Sequence, residues 1–353
     1  MDKLLKSFLF GGRVLKTGIA VFITAILCQL FNLPTIFAVI TAIVTIEPTA
    51  TDSIKKGIIR FPASAIGAAL SMLLVSFLGE QPLTYALATI LTIYFCHKLK
   101  LEDGIVVATI TAAAMIPATT DHFLLAFIAR LGTTTIGIVV STIVNIIILP
   151  PKFSHLIDKN IADMFELKAE ILEQHLKQLG TYSSKRKQTI ASLYAKLGQL
   201  IVRTNKLCYY EREEFKYHKQ NPKDIRMFHY TNKRLNVLQL IAFHLGNLNY
   251  LENKKLDFSK TQKDVLCSTI LSLIEILKKP EHQIPVEHHQ IIEQVDRIFR
   301  SWKESGQQPV QGKYYHHFQP ETTFLYEILS IHDALEELEQ LAHTNIKLQD
   351  LRN

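Results

Sequence analysis

The chain is 353 residues long, 48% hydrophobic and 20% charged, with a mean hydropathy of +0.14 and a formal net charge of +7. Such averages fit a soluble enzyme, but the distribution argues against one: 17 charged residues precede Pro150, and beyond Pro151 charges recur every few positions. Cys28, Cys96, Cys208 and Cys267 show no CxxC spacing and imply neither a zinc site nor a disulfide framework.

In chain order, residues 1–16 carry Leu4, Leu5, Phe8 and Leu9 among lysines and read as an interfacial segment along the inner membrane surface. The apolar run at 4–10 is short and no small-residue cleavage site follows it, which argues against a cleaved signal peptide. Six apolar spans follow, at 17–31, 34–46, 58–78, 83–95, 104–116 and 123–149. Several fall short of the about 20 residues of a perpendicular span, so tilt, flanking residues or local thinning must complete them. Basic residues stand before span one (Lys3, Lys6, Arg13, Lys16), between spans two and three (Lys55, Lys56), between four and five (Lys98, Lys100) and after six (Lys152, Lys159). The alternate loops, 32–34, 79–82 and 117–122, hold neither Lys nor Arg. This pattern predicts a multi-pass protein of the cell membrane with both termini in the cytoplasm. Basic loops beside an anionic leaflet also account for the pI of 9.0 without nucleic acid.

The spans contain a duplication. Ala38, Ile40, Thr41, Ala42, Pro48, Asp52, Arg60, Gly67 and Ser71 recur as Ala108, Ile110, Thr111, Ala112, Pro117, Asp121, Arg130, Gly137 and Ser141, an offset of 70 with a one-residue slip at the proline and aspartate. Three spans separate the copies, so the second unit (83–149) is upside down relative to the first (17–78). Inverted repeats of this kind build secondary transporters, in which short, proline-interrupted spans at matching positions point to the substrate site. Spans two and five, ending at Pro48 and Pro117, fit that description.

Arg60, Ala63, Gly67 and Ser71 share one helical face, as do Arg130, Thr133, Gly137 and Ser141. Small residues at this spacing let another helix approach closely. Arg130 lies deep in span six, where an ionisable side chain is a functional candidate. Two readings are open for it: it snorkels or pairs with Asp121, or it meets an anionic substrate. Arg60 adjoins the Lys55-Lys56 loop and is either an inside-positive anchor or a second anion contact. Guanidinium suits carboxylates because it grips them bidentately and stays charged. Ser64, Thr133 and Thr134, with Gly67 and Gly137, complete the candidate substrate face, although membrane threonines commonly bond their own backbone. Glu47 and Asp121 are proton-coupling candidates; Asp52 and Asp121 also sit where helix caps belong. Glu47 has no acidic counterpart, because Ile116 stands beside Pro117.

Residues 151–353 read as a cytoplasmic helical domain. Ile157, Ile161, Met164, Ile171, Leu172, Leu176 and Leu179 form one apolar stripe, and Ile190, Leu193, Leu197 and Leu200 a second. Further helices are expected over 224–253, 261–278, 286–305 and 320–343. The pairs His288-His289 and His316-His317 diverge on a helix, so no metal site is expected there. No Walker loop, nucleophile or paired-carboxylate constellation appears, so no catalytic residue and no cofactor is expected.

Six spans within 17–150, the segment Glu47-Pro48-Thr49 through Arg60 to Gly67, its echo from Arg130 to Gly137, and a helical C-terminal domain together resemble the bacterial aromatic acid exporter family. Fusaric acid resistance proteins and plant aluminium-activated malate channels share this plan. The resemblance covers the whole chain and implies an all-α fold that passes organic anions, aromatic carboxylates among them, with Arg60 and Arg130 lining the path. Larger relatives carry two six-span units in one chain, so a single unit implies a homodimer or higher homo-oligomer. The alternative is a non-transporting scaffold or sensor whose cytoplasmic bundle recruits a partner.

Overall fold

The computed structural model describes residues 2–117, 123–148, 153–180, 184–217, 221–251, 256–279, 283–305 and 319–350. Every regular element among them is a helix. The chain forms two compact units, Met1–Lys152 with Tyr210–Lys219, and Phe153–Tyr209 with Gln220–Asn353.

The first unit holds α1 (Asp2–Leu30), α2 (Thr35–Thr45), α3 (Ala50–Leu78), α4 (Pro82–Lys98), α5 (Ile105–Met115) and α6 (Phe123–Ile147). Among the described residues three stretches, Gly12–Leu30, Ala50–Leu78 and Leu124–Ile147, are long and apolar enough to cross a membrane. Helices α2 and α5 have 11 residues each. At about 1.5 Å per residue they reach roughly 16 Å, about half of a ~30 Å hydrocarbon layer. Pro34 and Pro48 bracket α2, and Pro117 follows α5; proline has no N–H with which to continue the helical hydrogen-bond ladder.

Helix α1 is unbroken from Asp2, so residues 1–16 and the first apolar span do not separate into two elements as the sequence suggests. It ends where Asn32 takes a positive φ of 50° and Leu33 donates back to the Cys28 carbonyl at 2.8 Å. Helix α3 starts at Thr49, whose hydroxyl accepts from the Asp52 amide at 3.1 Å. Thr49 is thus the cap and Asp52 a first-turn acid.

Burial in this unit is inverted relative to a soluble core. Ala38, Thr41 and Ala42 of α2, Ser64, Gly67 and Ser71 of α3, Ala108 and Thr111 of α5, and Thr134 and Ser141 of α6 are buried. Meanwhile Ile58, Phe77, Leu124 and Ile147 are 69%, 78%, 72% and 71% exposed. Helices surrounded by lipid gain nothing by hiding leucines from it; they associate through small residues and interhelical hydrogen bonds. Helix α3 packs on α5, and α6 on α2. A Cβ on Gly67 would overlap the Ala108 carbonyl oxygen, and one on Gly137 would lie 2.6 Å from the Ala38 carbonyl oxygen.

The second unit holds α7 (Ser154–Gly180), the bulk of α8 (Ser184–Glu214), α9 (Pro222–Leu251), α10 (Lys260–Lys278), α11 (Val286–Ser305) and α12 (Pro320–Asp350). Here Ile161 and Leu172, Leu197, Leu238 and Ile241, Leu273 and Ile276, Ile328 and Leu335 are fully buried or nearly so, the partition of a water-soluble core. A capping box between Ser259 and Gln262 starts α10. Tyr194 of α8 rests on Gly246 of α9 and donates to the Ala242 carbonyl at 3.1 Å.

Candidate functional site

The break between α2 and α3 gathers the first polar cluster. Because Pro48 ends the helix there, the Val44, Ile46 and Glu47 carbonyls lack helical partners and other helices supply donors. Arg60, about three turns into α3, donates to the Val44 carbonyl at 3.1 Å, to the Asp103 carbonyl at 3.3 Å and to Glu47 Oε1 at 2.7 Å. Lys56 holds the other Glu47 oxygen at 3.2 Å. Arg13 of α1 donates to the Ile46 carbonyl at 3.1 Å. Arg60 and Glu47, named separately by sequence as a substrate contact and a coupling residue, are therefore one ion pair.

Arg130, the counterpart of Arg60 in α6, has a different environment. It is 2% exposed, and one Nη2 donates to the Thr111 hydroxyl of α5. Its Nε and Nη1 are buried without a hydrogen-bond partner. The guanidinium lies over the Phe37 ring of α2, 4.5 Å from the centroid. Among the described residues no carboxylate pairs with it, and Asp121 lies outside them. Beside the shared proline the two copies differ in charge: where Glu47 precedes Pro48, Ile116 precedes Pro117.

Beside Arg130 runs a short hydroxyl chain. Ser64 of α3 lies 3.1 Å from the Thr111 hydroxyl and 3.2 Å from that of Thr134. Ser64 and Thr134 are 70 residues apart, the offset of the sequence repeat. Thr133 is buried but donates to the Arg130 carbonyl at 2.9 Å, the local backbone bond common for threonine in membrane helices. Gly67 and Gly137 bring the four helices to contact distance and carry no polar chemistry of their own. The structure thus joins Arg130, Thr111, Ser64 and Thr134 in one polar core, and sets Arg60 and Glu47 apart as a second cluster.

Sequence comparison of the halves passes over Asn145 and Lys16. Asn145 of α6 donates to the Glu47 and Thr49 carbonyls at 3.1 Å and to the Ser53 hydroxyl at 2.8 Å. Its own Oδ1 accepts from Lys16 Nζ at 2.8 Å. Lys16 is 5% exposed, so it belongs to the bundle interior and not to a surface segment. A lone amide in an apolar span was the available signal for Asn145. Glu214 also serves this region, its Oε1 accepting from the Ala50 amide at 2.8 Å at the start of α3.

Residues 8–148 match the profile of aromatic acid exporter family member 1. A UPF0421 protein of Bacillus cereus (strain ATCC 10987) is 46% identical over 341 residues, spanning 97% of this chain and 96% of that one. UPF0421 proteins of Halalkalibacterium halodurans and Staphylococcus aureus (strain USA300) are 39% and 36% identical, covering 94% and 76% of this chain and 89% and 82% of theirs. With three long apolar helices among the described residues and an inside-out pattern of burial to match, the chain is an integral membrane protein that belongs to the UPF0421 proteins and carries, over residues 8–148, a match to the aromatic acid exporter family.

Proposed function

We propose that this protein moves organic carboxylates, aromatic ones included, across the cell membrane, and that Arg130 holds the carboxylate in transit. The observation that carries the reading is a buried guanidinium with two unpartnered nitrogens and no acidic neighbour among the described residues. A cation in that position is expensive unless an anion joins it during the working cycle. Guanidinium accepts a carboxylate through two parallel N–H donors, and Phe37 provides an aromatic face beside it. Ser64, Thr111 and Thr134 supply hydroxyls to the same core.

In this reading six helices cross the membrane as an inverted repeat, with α2 and α5 as the short halves and both termini in the cytoplasm. The exchanged contacts of Gly67 with Ala108 and Gly137 with Ala38, and the Ser64–Thr134 pair, support it, because a pseudo-two-fold relation requires such equivalences. Glu47, the resident counter-ion of Arg60, is the proton-coupling candidate of this reading.

Purified protein in liposomes, assayed for uptake of labelled benzoate, cinnamate and malate, tests the proposal. Wild-type protein is expected to carry at least one of them, and Arg130→Ala to lose about tenfold or more of the flux. No movement of any carboxylate, or full flux through Arg130→Ala, overturns it.

A further inference from the structure

On the second unit, α11 and α12 bring three histidines and a glutamate to one place. His332 and Glu336 are one turn apart on α12, with His332 Nε2 3.2 Å from Glu336 Oε1. From α11, His289 Nδ1 approaches the same carboxylate oxygen at 3.7 Å. The three ligand atoms all lie within 4.8 Å of one another. Bonds of about 2.0–2.1 Å at tetrahedral angles put ligand atoms roughly 3.3 Å apart, close to both measured edges. Side chains of adjacent histidines diverge, as the sequence reading of His288-His289 holds; what completes the set is a second helix.

We infer that His289, His332 and Glu336 form a binding site for a divalent transition-metal ion of the zinc class. Two neutral imidazoles and one carboxylate are the donor set of three-ligand zinc sites, which keep a fourth position for water or another ligand. The surroundings orient the buried donor. His332 Nδ1 lies 3.2 Å from His288 Nε2, and His288 Nδ1 lies 2.7 Å from the Ser272 hydroxyl. When His332 Nδ1–H donates to His288 and His288 Nδ1–H donates to Ser272, the Nε2 lone pair of His332 faces Glu336 and His289. Metal-bound histidines are held by this arrangement, in which the second ring nitrogen has a fixed acceptor. His289 and Glu336 are 47% and 41% exposed, so an ion reaches the site from water, while His332 at 7% gives it a rigid floor. Bound metal would staple α11 to α12. The inference stands independently of the transport reading, because none of these residues belongs to the membrane unit.

The test uses untagged full-length protein in detergent, washed with chelator and titrated with Zn2+ by calorimetry, with Co2+ absorption as a report of geometry. One equivalent of Zn2+ is expected, with a tetrahedral Co2+ spectrum and no comparable uptake of Mg2+ or Ca2+. His289→Ala and Glu336→Gln are each expected to weaken binding by about tenfold or more. Both positions are substantially exposed, so these variants keep the fold, which helical circular dichroism verifies; the buried His332 is left intact. Binding of less than one equivalent, affinity unchanged in both variants, or equal binding of Ca2+ overturns the inference.

Discussion

Arg60 and Arg130 begin as equals, 70 residues apart on matching faces, and end with opposite partners. One has Glu47 at 2.7 Å; the other has a threonine hydroxyl and an aromatic face. If the vacancy of a counter-ion at Arg130 is what admits a carboxylate substrate, then supplying one internally must block the protein. Ile116→Glu places an acid at the position equivalent to Glu47, and flux is expected to fall about tenfold or more, whereas Ile116→Gln, of the same size and uncharged, retains it. Equal transport by the two variants would reject the counter-ion argument. At this scale the sequence was informative where polar residues interrupt apolar spans, and so it reached Arg60, Arg130, Ser64 and Thr134. Asn145 is the same kind of signal, but its counterpart at the repeat offset is Val75, so matching the halves discards it. The Arg60–Glu47 pair was hidden for another reason: it joins residues across a helix break, and only tertiary packing sets that distance.

Among the elements, α2 and α5 are short because prolines stop them, and α3 and α6 press against them through glycine. That contact is backbone against backbone, so no rotamer change can make room for a methyl group. Gly67→Ala and Gly137→Ala are expected to destabilise the membrane unit by about 1–3 kcal/mol and lower its melting temperature in detergent. Gly18→Ala, where a Cβ meets nothing within 4 Å, is expected to be neutral or slightly stabilising. Equal melting of all three variants would mean that the small-residue contacts do not hold these helices together. The repeat made this packing legible, since Gly67 and Gly137 recur with Ala38 and Ala108. The continuity of α1 was not legible, because charge and hydropathy change at Lys16 while helix propensity does not, and Gly11 and Gly12 fail to stop the helix.

The molecule as a whole contains two solutions to burial, small residues inward in one unit and large aliphatics inward in the other. The second has an exception. Lys168 of α7 is fully buried, its ammonium reaching among the described residues only the Met164 carbonyl at 3.5 Å, and desolvation pulls its pKa from 10.5 down to about 7. Below about 7 both folded and unfolded chains carry the proton; between there and 10.5 only the unfolded chain does. Stability of this unit therefore rises with pH across that window, on the order of 1 kcal/mol per pH unit, and levels off above it. Trp302, the single tryptophan, packs edge-on against Phe258 at 6.0 Å, so its fluorescence follows unfolding of this unit alone. Lys168→Met is expected to flatten the pH dependence; a slope unchanged in that variant would assign it to other groups.

The unpaired state of Arg130 also has an electrical meaning. A site that is positive when empty becomes neutral once a carboxylate settles on it. Under the proposed mechanism the loaded protein would then change conformation with little net charge moving, and the empty one would carry its charge through the field. A potential of 100 mV acts on one elementary charge with about 2.3 kcal/mol. Membrane voltage would thus bias the return of the vacant carrier, and set the pace of transport without pulling on the bound anion.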